Sequence, residues 1–462
     1  MRKLALLMLA AVLAAPAGVV AAQQQGDKDA AYEELNLFDE AFERVRDDAV
    51  DPVTDPKLIG AAISGMLTGL DPRAAYIDPA AYQALRAPAS SDKVGIGVVL
   101  ALNKGELKVI SPRDGSPAAA AGIEPGDQIF SIGKELTYEL TLADVQSKLS
   151  GTPGSAVALV LQRGEGAPIK LNVTRAPDNL KTVTARVADG DIGYLRLAGF
   201  DNGTPAALAA AVQDLRQKTG GKLLGLVIDL RNNPGGDFQD AVAAAGAFLD
   251  KGEIALVKGR KPDSLKHITA PAGDLVKGLP IVALVNGGTA REAELVAGAL
   301  QDNHRAMLVG TKTYGESGIT TLIPLSSGGA VRLTTARFTT PDGHEIDGKG
   351  LEPDLVVTPL KLEKVAQEEG LHEADLPGAL KNPDQPVPVA SPAGGTPASG
   401  DKPTSSTKPG SGAVPAGATA APPPKTAPSV ATKEIGGASD EQLTQALDIL
   451  RGLAVFNHRA SG

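Results

Sequence analysis

The sequence predicts a multidomain protein: N-terminal helices, a mostly β domain, an α/β core with a mixed sheet, a linker and a C-terminal helix. Its 462 residues are more than one hydrophobic core usually contains. The spacing of apolar residues changes along the chain, from helical spacing to short strands bounded by turns, and then to strands that alternate with helices. A tract rich in Pro, Ala, Ser, Thr and Gly then separates the last helix from the rest.

The first 22 residues have the pattern of a secretory signal peptide. A basic start, Met1-Arg2-Lys3, precedes the apolar run 4–20, and small residues follow up to Ala22. This order predicts cleavage near Ala22 and an exported, periplasmic protein. The alternative is that residues 1–22 are retained as a membrane anchor, although the run is short for a span.

Residues 30–90 are predicted to form a helical region. One helix has a charged surface with an apolar stripe, and residues 58–70 predict a second helix. The apolar residues of the first helix are Leu35, Phe38, Phe42 and Val45. This stripe serves either for local packing or for association with a second copy of the chain.

Residues 94–175 have the pattern of short strands with turns and one helix. The segment Gly95-Ile96-Gly97-Val98 begins an apolar strand, and the run Ser-Pro-Ala-Ala-Ala-Ala-Gly-Ile over 116–123 leads into a Glu-Pro-Gly-Asp turn. This combination resembles a PDZ domain, which implies a groove that binds protein C-termini. In that resemblance, residues 95–98 receive the terminal carboxylate, and Leu142 and Val145 line the pocket for the last side chain.

Residues 182–360 predict an α/β core. Short apolar strands are followed by helices, and this alternation favours a mixed sheet with helices on its faces. The predicted strands are 223–230, 281–286 and 306–310, and the predicted helices are 239–248 and 290–301.

The tract 382–435 is too poor in apolar residues to form a core and is predicted to be a flexible linker. A helix is predicted over 439–457, with a capping box formed by Ser439-Asp440-Glu441-Gln442. Two interpretations of this helix stay open. It either docks on a partner, such as an active relative or an adaptor, or packs back on its own core.

Two segments carry a further resemblance. The sequence N-G-G-T-A-R-E-A-E-L over 286–295 resembles N-G-G-S-A-S-A-S-E-I of the C-terminal-processing serine peptidases, family S41, and T-Y-G-E-S over 313–317 resembles their T-F-G-K-G. The turn D-P-R-A-A-Y over 71–76 resembles their D-P-H-S-S-Y. The resemblance covers about residues 32–357 and the last helix. It implies a ClpP/crotonase-like core, capped by N-terminal helices that often dimerise in this family.

The reactive residues of that family are replaced here. In the resemblance, Arg291 stands at the position of the serine nucleophile, Glu316 at that of the lysine base, and Thr320 at that of a glutamine. The separation, 316 − 291 = 25, agrees with the family, so no gap restores the pair. Opposite charges at two facing positions predict a guanidinium–carboxylate fork.

The resemblance also assigns the oxyanion amides. Gly235 and Gly236 belong to the glycine turn that supplies one donor, and the amide of Glu292 is at the position of the other. Thr289 and Glu292 have the spacing of a capping box. The Glu292 carboxylate is predicted either to fold over these donors or to point to solvent.

These replacements predict a catalytically inactive family member that binds the C-terminal tails of exported proteins as a scaffold or regulator. The alternative is an active carboxy-terminal-processing endopeptidase with a displaced nucleophile, for which Thr289 and Ser317 are the candidates. Whether the chain is an enzyme stays open between these two.

Composition argues against several other classes. The net charge of −9 disfavours a nucleic-acid partner. There is no cysteine, and the five histidines lack metal-ligand spacing, so no metal or cofactor is expected. The absence of Trp leaves no aromatic platform for carbohydrate.

Overall fold

The computed structural model describes residues 15–71, 73–86, 94–103, 105–177, 181–358, 435–437 and 440–460. All of these residues belong to one compact unit. Residues 382–434 of the expected linker and residues 1–14 of the expected signal peptide lie outside the described residues, so both stay predictions. No helix within the described ranges is long and apolar enough to span a membrane.

The N-terminal region consists of helices and one short strand. They are α1 (Ala15–Asp48), α2 (Asp55–Leu70), β1 (Ala75–Ile77) and α3 (Pro79–Arg86). The apolar stripe of α1 is largely uncovered in this chain, and Leu35 is 61 % exposed. Local packing is therefore the wrong interpretation of this stripe, whereas association with a second copy stays a prediction.

The segment 94–175, which resembles a PDZ domain and is called the PDZ domain below, is built from short strands and two helices. In chain order they are β2 (Val98–Asn103), β3 (Glu106–Pro112), α4 (Pro117–Ala120), β4 (Gln128–Ile132), β5 (Glu135–Leu136), α5 (Leu142–Leu149), β6 (Ala156–Gln162) and β7 (Ile169–Thr174). The strand order β2-β3-β4-β6-β7 leaves β2 at an edge. Helix α4 begins where Ser116 accepts a hydrogen bond from the Ala119 amide, and α5 begins with a capping box between Thr141 and Asp144.

The α/β core contains two sheets. Its elements are β8 (Val183–Ala188), β9 (Ile192–Leu197), α6 (Thr204–Lys218), β10 (Gly225–Asp229), α7 (Phe238–Gly246), β11 (Glu253–Gly259), β12 (Lys266–Thr269), β13 (Ile281–Val285), α8 (Glu292–Asp302), β14 (Met307–Gly310), β15 (Gly318–Pro324), β16 (Ala330–Thr339) and β17 (Leu355–Val356). One sheet has the order β17-β14-β13-β10-β9-β8 and is parallel except for β8. This mixed sheet confirms the predicted fold class. The other sheet is antiparallel, with β1 and β15 both paired to β16.

Both faces of the mixed sheet are covered. Side chains of α6, α7 and α8 pack on one face, where Leu226 and Ile228 of β10 are buried. The C-terminal helix α9 (Glu441–Ala460) packs on the other face, where Val227 is buried. The helix thus packs back on its own core, and its apolar side is not available to a partner. The buried residues of that side are Leu443, Ala446 and Leu450.

The start of α9 is fixed by an ionic contact. Asp440 Oδ1 accepts a hydrogen bond from the Leu443 amide at 3.2 Å, which makes Asp440 the capping residue. The capping box predicted over 439–442 relied on Ser439, which lies outside the described residues. Arg231 donates two hydrogen bonds to Asp440, at 2.9 and 2.6 Å, and also binds Asp229. This buried chain of charges ties the last helix to the end of β10.

Candidate active site

The turn after β10 presents backbone amides in a fixed arrangement. Asn233 Oδ1 accepts a hydrogen bond from the Gly235 amide at 2.9 Å, and Asn233 Nδ2 donates to Leu197 O. An added Cβ on Gly236 would lie 2.1 Å from Phe200 O, so a side chain does not fit there. The turn is therefore shaped by contacts that a larger residue at this position would break.

Arg291 occupies the sharp turn between β13 and α8. Its φ of 54° is unusual for a residue with a side chain and indicates local strain. The turn is held by the Arg291 amide, which donates to Glu294 Oε2 at 3.0 Å, and by the Ala290 amide, which donates to Asn233 O at 2.9 Å. The structure thus places position 291 at a constrained turn beside the glycine turn.

The capping box predicted for Thr289 and Glu292 is wrong. Helix α8 begins at Glu292, and the carboxylate that caps its first turn belongs to Glu294. Thr289 is used in the preceding turn, where its hydroxyl donates to Leu230 O at 2.8 Å and accepts from the Asn286 amide at 3.0 Å. Because this hydroxyl is already bound on both sides and fully buried, it is poorly placed to attack a substrate.

Glu292 lies against the glycine turn. Its Oε2 accepts a hydrogen bond from the Gly236 amide at 2.9 Å, and the residue is only 4 % exposed. The alternative in which Glu292 points to solvent is therefore wrong. A carboxylate already occupies a backbone donor of the turn to which the family resemblance assigns the oxyanion.

Glu294 is a second buried carboxylate at the start of α8. It accepts hydrogen bonds from the Gly315 amide at 2.8 Å, from the Glu316 amide at 2.9 Å and from the Thr313 hydroxyl, in addition to the Arg291 amide. Burial raises the pKa of Glu294 to about 7, although these donors favour the ionised form. This residue fixes the segment 313–316 relative to the turn at Arg291.

Arg291 and Glu316 face each other but do not form the predicted fork. Arg291 Nε lies 4.0 Å from Glu316 Oε1 and 3.6 Å from Glu292 Oε2. Arg73 Nη1 lies 3.6 Å from the same Glu316 oxygen. The predicted ion pair between Arg291 and Glu316 is therefore present, but the predicted fork is wrong. Each group has two partners, at distances too long for direct hydrogen bonds. We call Arg291, Glu292, Glu316 and Thr320 the substituted centre.

The charge of Glu316 reflects opposing effects. Burial raises the pKa of Glu316 above its usual value, whereas Arg291 and Arg73 lower it. The carboxylates of Glu292 and Asp347 raise it further. The net shift is upward, so Glu316 is more easily protonated than an exposed glutamate.

The other two predicted positions lie on or beside β15. Thr320, the fourth residue of the substituted centre, is exposed and lines a cavity. Ser317 is buried, and its amide donates to Asp347 Oδ1 at 3.3 Å. No cluster of His, Asp or Glu in the described part of the chain could hold a metal ion.

A cavity of about 720 Å³ extends from the PDZ domain to the substituted centre. Residues 95–98 and Leu142 line its PDZ side, and their predicted role in binding a peptide stays a prediction. Val145 was assigned wrongly, because it is fully buried in the core of the PDZ domain. Gln146 and Leu149 instead share the lining face of α5 with Leu142.

Sequence reasoning missed charged residues that come from distant segments. Arg73 precedes β1, Arg332 lies on β16, and Asp347 follows β16, yet all three line the same cavity. A signal for Arg73 was present, since it replaces the histidine of the D-P-H-S-S-Y turn. Arg332 and Asp347 had no such signal, because only the pairing of β1 with β16 brings these segments together.

Comparisons with known proteins agree with this architecture. The description "Peptidase family S41" matches residues 191–357, and "PDZ domain" matches residues 108–163. A carboxy-terminal-processing protease of Bartonella bacilliformis is 41 % identical over 354 residues, covering 76 % of this chain and 81 % of that protein. The carboxy-terminal processing protease CtpA of Bacillus subtilis is 32 % identical over 328 residues, covering 71 % and 69 %. The solved structure of a photosystem II D1 C-terminal processing protease aligns with a TM-score of 0.60 at 31 % identity, covering 67 % of this chain and 84 % of that one.

Proposed function

The chain belongs to peptidase family S41, and we propose that it is a catalytically inactive member that binds protein C-terminal tails through its PDZ domain. The observation that carries this proposal is the state of the substituted centre. A guanidinium stands at the nucleophile position, and a carboxylate lies on an amide of the glycine turn. Binding without cleavage makes the chain a scaffold or regulator.

Acyl transfer needs a nucleophile, a base that activates it and donors for the oxyanion. Arg291 has no nucleophilic oxygen, and its guanidinium stays protonated in proteins. Glu316 can accept a proton, but position 291 offers no hydroxyl to activate. Glu292 places negative charge beside the amide of Gly236, where a developing oxyanion would be repelled.

The PDZ groove has the geometry that peptide binding requires. Strand β2 is an edge strand, so a peptide can add to it by backbone hydrogen bonds. The carbonyls of residues 95–97 each accept a hydrogen bond from an amide elsewhere in the domain, which holds this segment in shape. Gly97 has a φ of 71°, which favours glycine.

We extend the proposal to location and ligand. The signal-like residues 1–22 support export, and the ligands would then be the C-terminal tails of other exported proteins. The uncovered apolar stripe of α1 supports association with a second copy of the chain.

The test measures binding and cleavage with the same peptides. Chain 23–462 is mixed with peptides that end in a free small apolar residue or in its amide. We expect roughly micromolar binding of the free form, weaker binding of the amide by about tenfold or more, and no cleavage. Removal of a catalytic residue typically lowers the activity of a serine peptidase on the order of 10⁴-fold.

A different result would contradict each half of the proposal, the absence of cleavage and the binding of C-terminal tails. Cleavage that Ser317→Ala or Thr289→Ala abolishes would show an enzyme with a displaced nucleophile. Equal affinity for free and amidated peptides would remove the tail-binding role. The control variant Arg291→Ala should leave the absence of cleavage unchanged.

A further inference from the structure

Arg291 and Arg332 line the same cavity, and the positive charge of one acts on the other. Arg332 is on β16, and its Nε donates a hydrogen bond to Arg73 O at 3.2 Å. Its side chain is half-buried, and burial together with the charge of Arg291 holds the pKa of Arg332 below its usual value. Asp71 offsets this only in part, since its carboxylate is bound by the amide and Nε of Arg73.

Both arginines and carboxylates line the cavity. They include Arg73, Arg291 and Arg332, and the carboxylates of Glu316 and Asp347. Both carboxylates already lie within 4.0 Å of Arg73. Among the residues that the structure describes, Arg332 makes no ion pair, and the charge of Asp71 acts on it from farther away. A half-buried guanidinium without a counter-ion is unfavourable, so this part of the wall is suited to an anion.

We propose that Arg291 and Arg332 together bind a carboxylate of the peptide ligand, so that the former nucleophile position serves as part of an anion site. The inference rests on the proposed function, because the ligand is the peptide held by the PDZ domain. Guanidinium groups suit this role, since their planar N–H donors match the geometry of a carboxylate.

One continuous cavity is lined both by the PDZ groove and by the two arginines. Residues 95–102 line one part of it, and Arg291 and Arg332 line another part of the same space. We expect a peptide that adds to the edge of β2 to lie in this cavity, which the two arginines also line. The bound carboxylate comes from an Asp or Glu side chain of the peptide or from its own C-terminus, and the chemistry at the arginines is the same.

The experiment uses matched peptides and chain 23–462. Each peptide has a free apolar C-terminus and a single Glu, or Gln in its place, at successive upstream positions. At one or two positions we expect the Glu peptide to bind about tenfold more tightly than the Gln peptide. In Arg332→Gln this ratio should fall to about one. Arg260→Gln removes the same charge from an exposed arginine that does not line the cavity, and should keep the ratio.

The remaining arms separate the two sources of the carboxylate. If the C-terminus of the peptide binds the arginines, the Glu and Gln peptides should bind equally at every position. Arg332→Gln should then reduce the loss of affinity that amidation causes. Arg291→Gln serves as the second variant if Arg332→Gln does not fold, as judged by thermal unfolding. One result would overturn this inference and leave the proposed function intact. In it, amidation weakens binding, the Glu and Gln peptides bind equally, and neither variant changes the loss of affinity caused by amidation. Absence of all peptide binding would remove both.

Discussion

The PDZ groove and the substituted centre share one cavity but depend on different atoms. In the groove, residues 95–102 line the cavity and β2 is an edge strand, so a peptide that adds to it would bind backbone atoms. In the centre, chemistry depends on single side chains at 291 and 316. In the proposed function, replacement of those two side chains removes a nucleophile and a base and leaves the groove as it is. Binding that depends on backbone geometry would then survive a change that ends catalysis.

The centre has nevertheless kept its framework. The strained backbone at Arg291, the glycine turn and the buried Glu294 form a connected arrangement of hydrogen bonds. The replaced side chains include those at the positions of the nucleophile and the base. The framework of the centre, the groove and the charged side chains can be tested separately, in three experiments.

The largest expected effect is on the framework of the centre, through Glu294. Its pKa of about 7 in the folded protein compares with 4.5 for an ordinary glutamate, a difference that corresponds to roughly 3 kcal/mol at most. Between these values the folded state binds more protons than the unfolded chain, so stability falls as the pH rises from 4.5 to 7. Burial of Glu316 acts in the same direction.

Urea unfolding at several pH values between 4.5 and 7.5 measures this effect. Glu294→Gln should lower stability overall, because an amide cannot accept all four hydrogen bonds, but should flatten the dependence on pH. Glu345→Gln, at an exposed residue, should keep the wild-type slope. Parallel slopes for wild type and Glu294→Gln would show that Glu294 is not the titrating group.

The second largest expected effect is on the affinity of the PDZ groove for peptides. Gly97→Ala should weaken binding of free C-terminal peptides by about tenfold, or about 1.4 kcal/mol, because the added Cβ would lie 2.3 Å from Ser116 Cβ and displace the segment 95–98. Gly115→Ala is the matched control, since its φ of 66° is similar but an added Cβ meets no atom within 4 Å. Titration with a labelled peptide measures both variants. Equal losses would mean that backbone strain, and not the shape of the groove, sets the affinity.

The sequence predicted more of the scaffold than of the contacts. Glycine turns and apolar spacing were sufficient for the PDZ domain and the mixed sheet, because these patterns are local. The assignment of Val145 failed because local spacing does not show which side of the short helix α5 faces the sheet. The start of α8 was misplaced because Thr289 binds the backbone of the preceding turn and does not cap the helix.

The ionic contacts of the centre depend on distant segments. Arg73 reaches Glu316 only because β1 pairs with β16, and this partner competes with Arg291. The prediction of a fork considered two positions in isolation. Charge complementarity between Arg291 and Glu316 was visible in the sequence, but the number of partners that each would have was not.

The smallest expected effect is the coupling between Arg291 and Glu316. An isolated buried ion pair would give strong coupling, since breaking one costs roughly 3–5 kcal/mol. Here Glu316 keeps Arg73 when Arg291 is removed, and Arg291 keeps Glu292 when Glu316 is removed. In a double-mutant cycle of alanine variants, measured by urea unfolding, we expect a coupling energy of about 1 kcal/mol or less.

The exposed pair Lys349 and Glu345, with side chains 66 % and 73 % exposed, is the control and should give about 0.5 kcal/mol or less. A coupling of about 3 kcal/mol for Arg291 and Glu316 would show that the two groups form a direct fork in solution. The centre would then be a closed, self-neutralised pair, and Arg291 would not be available to a ligand carboxylate.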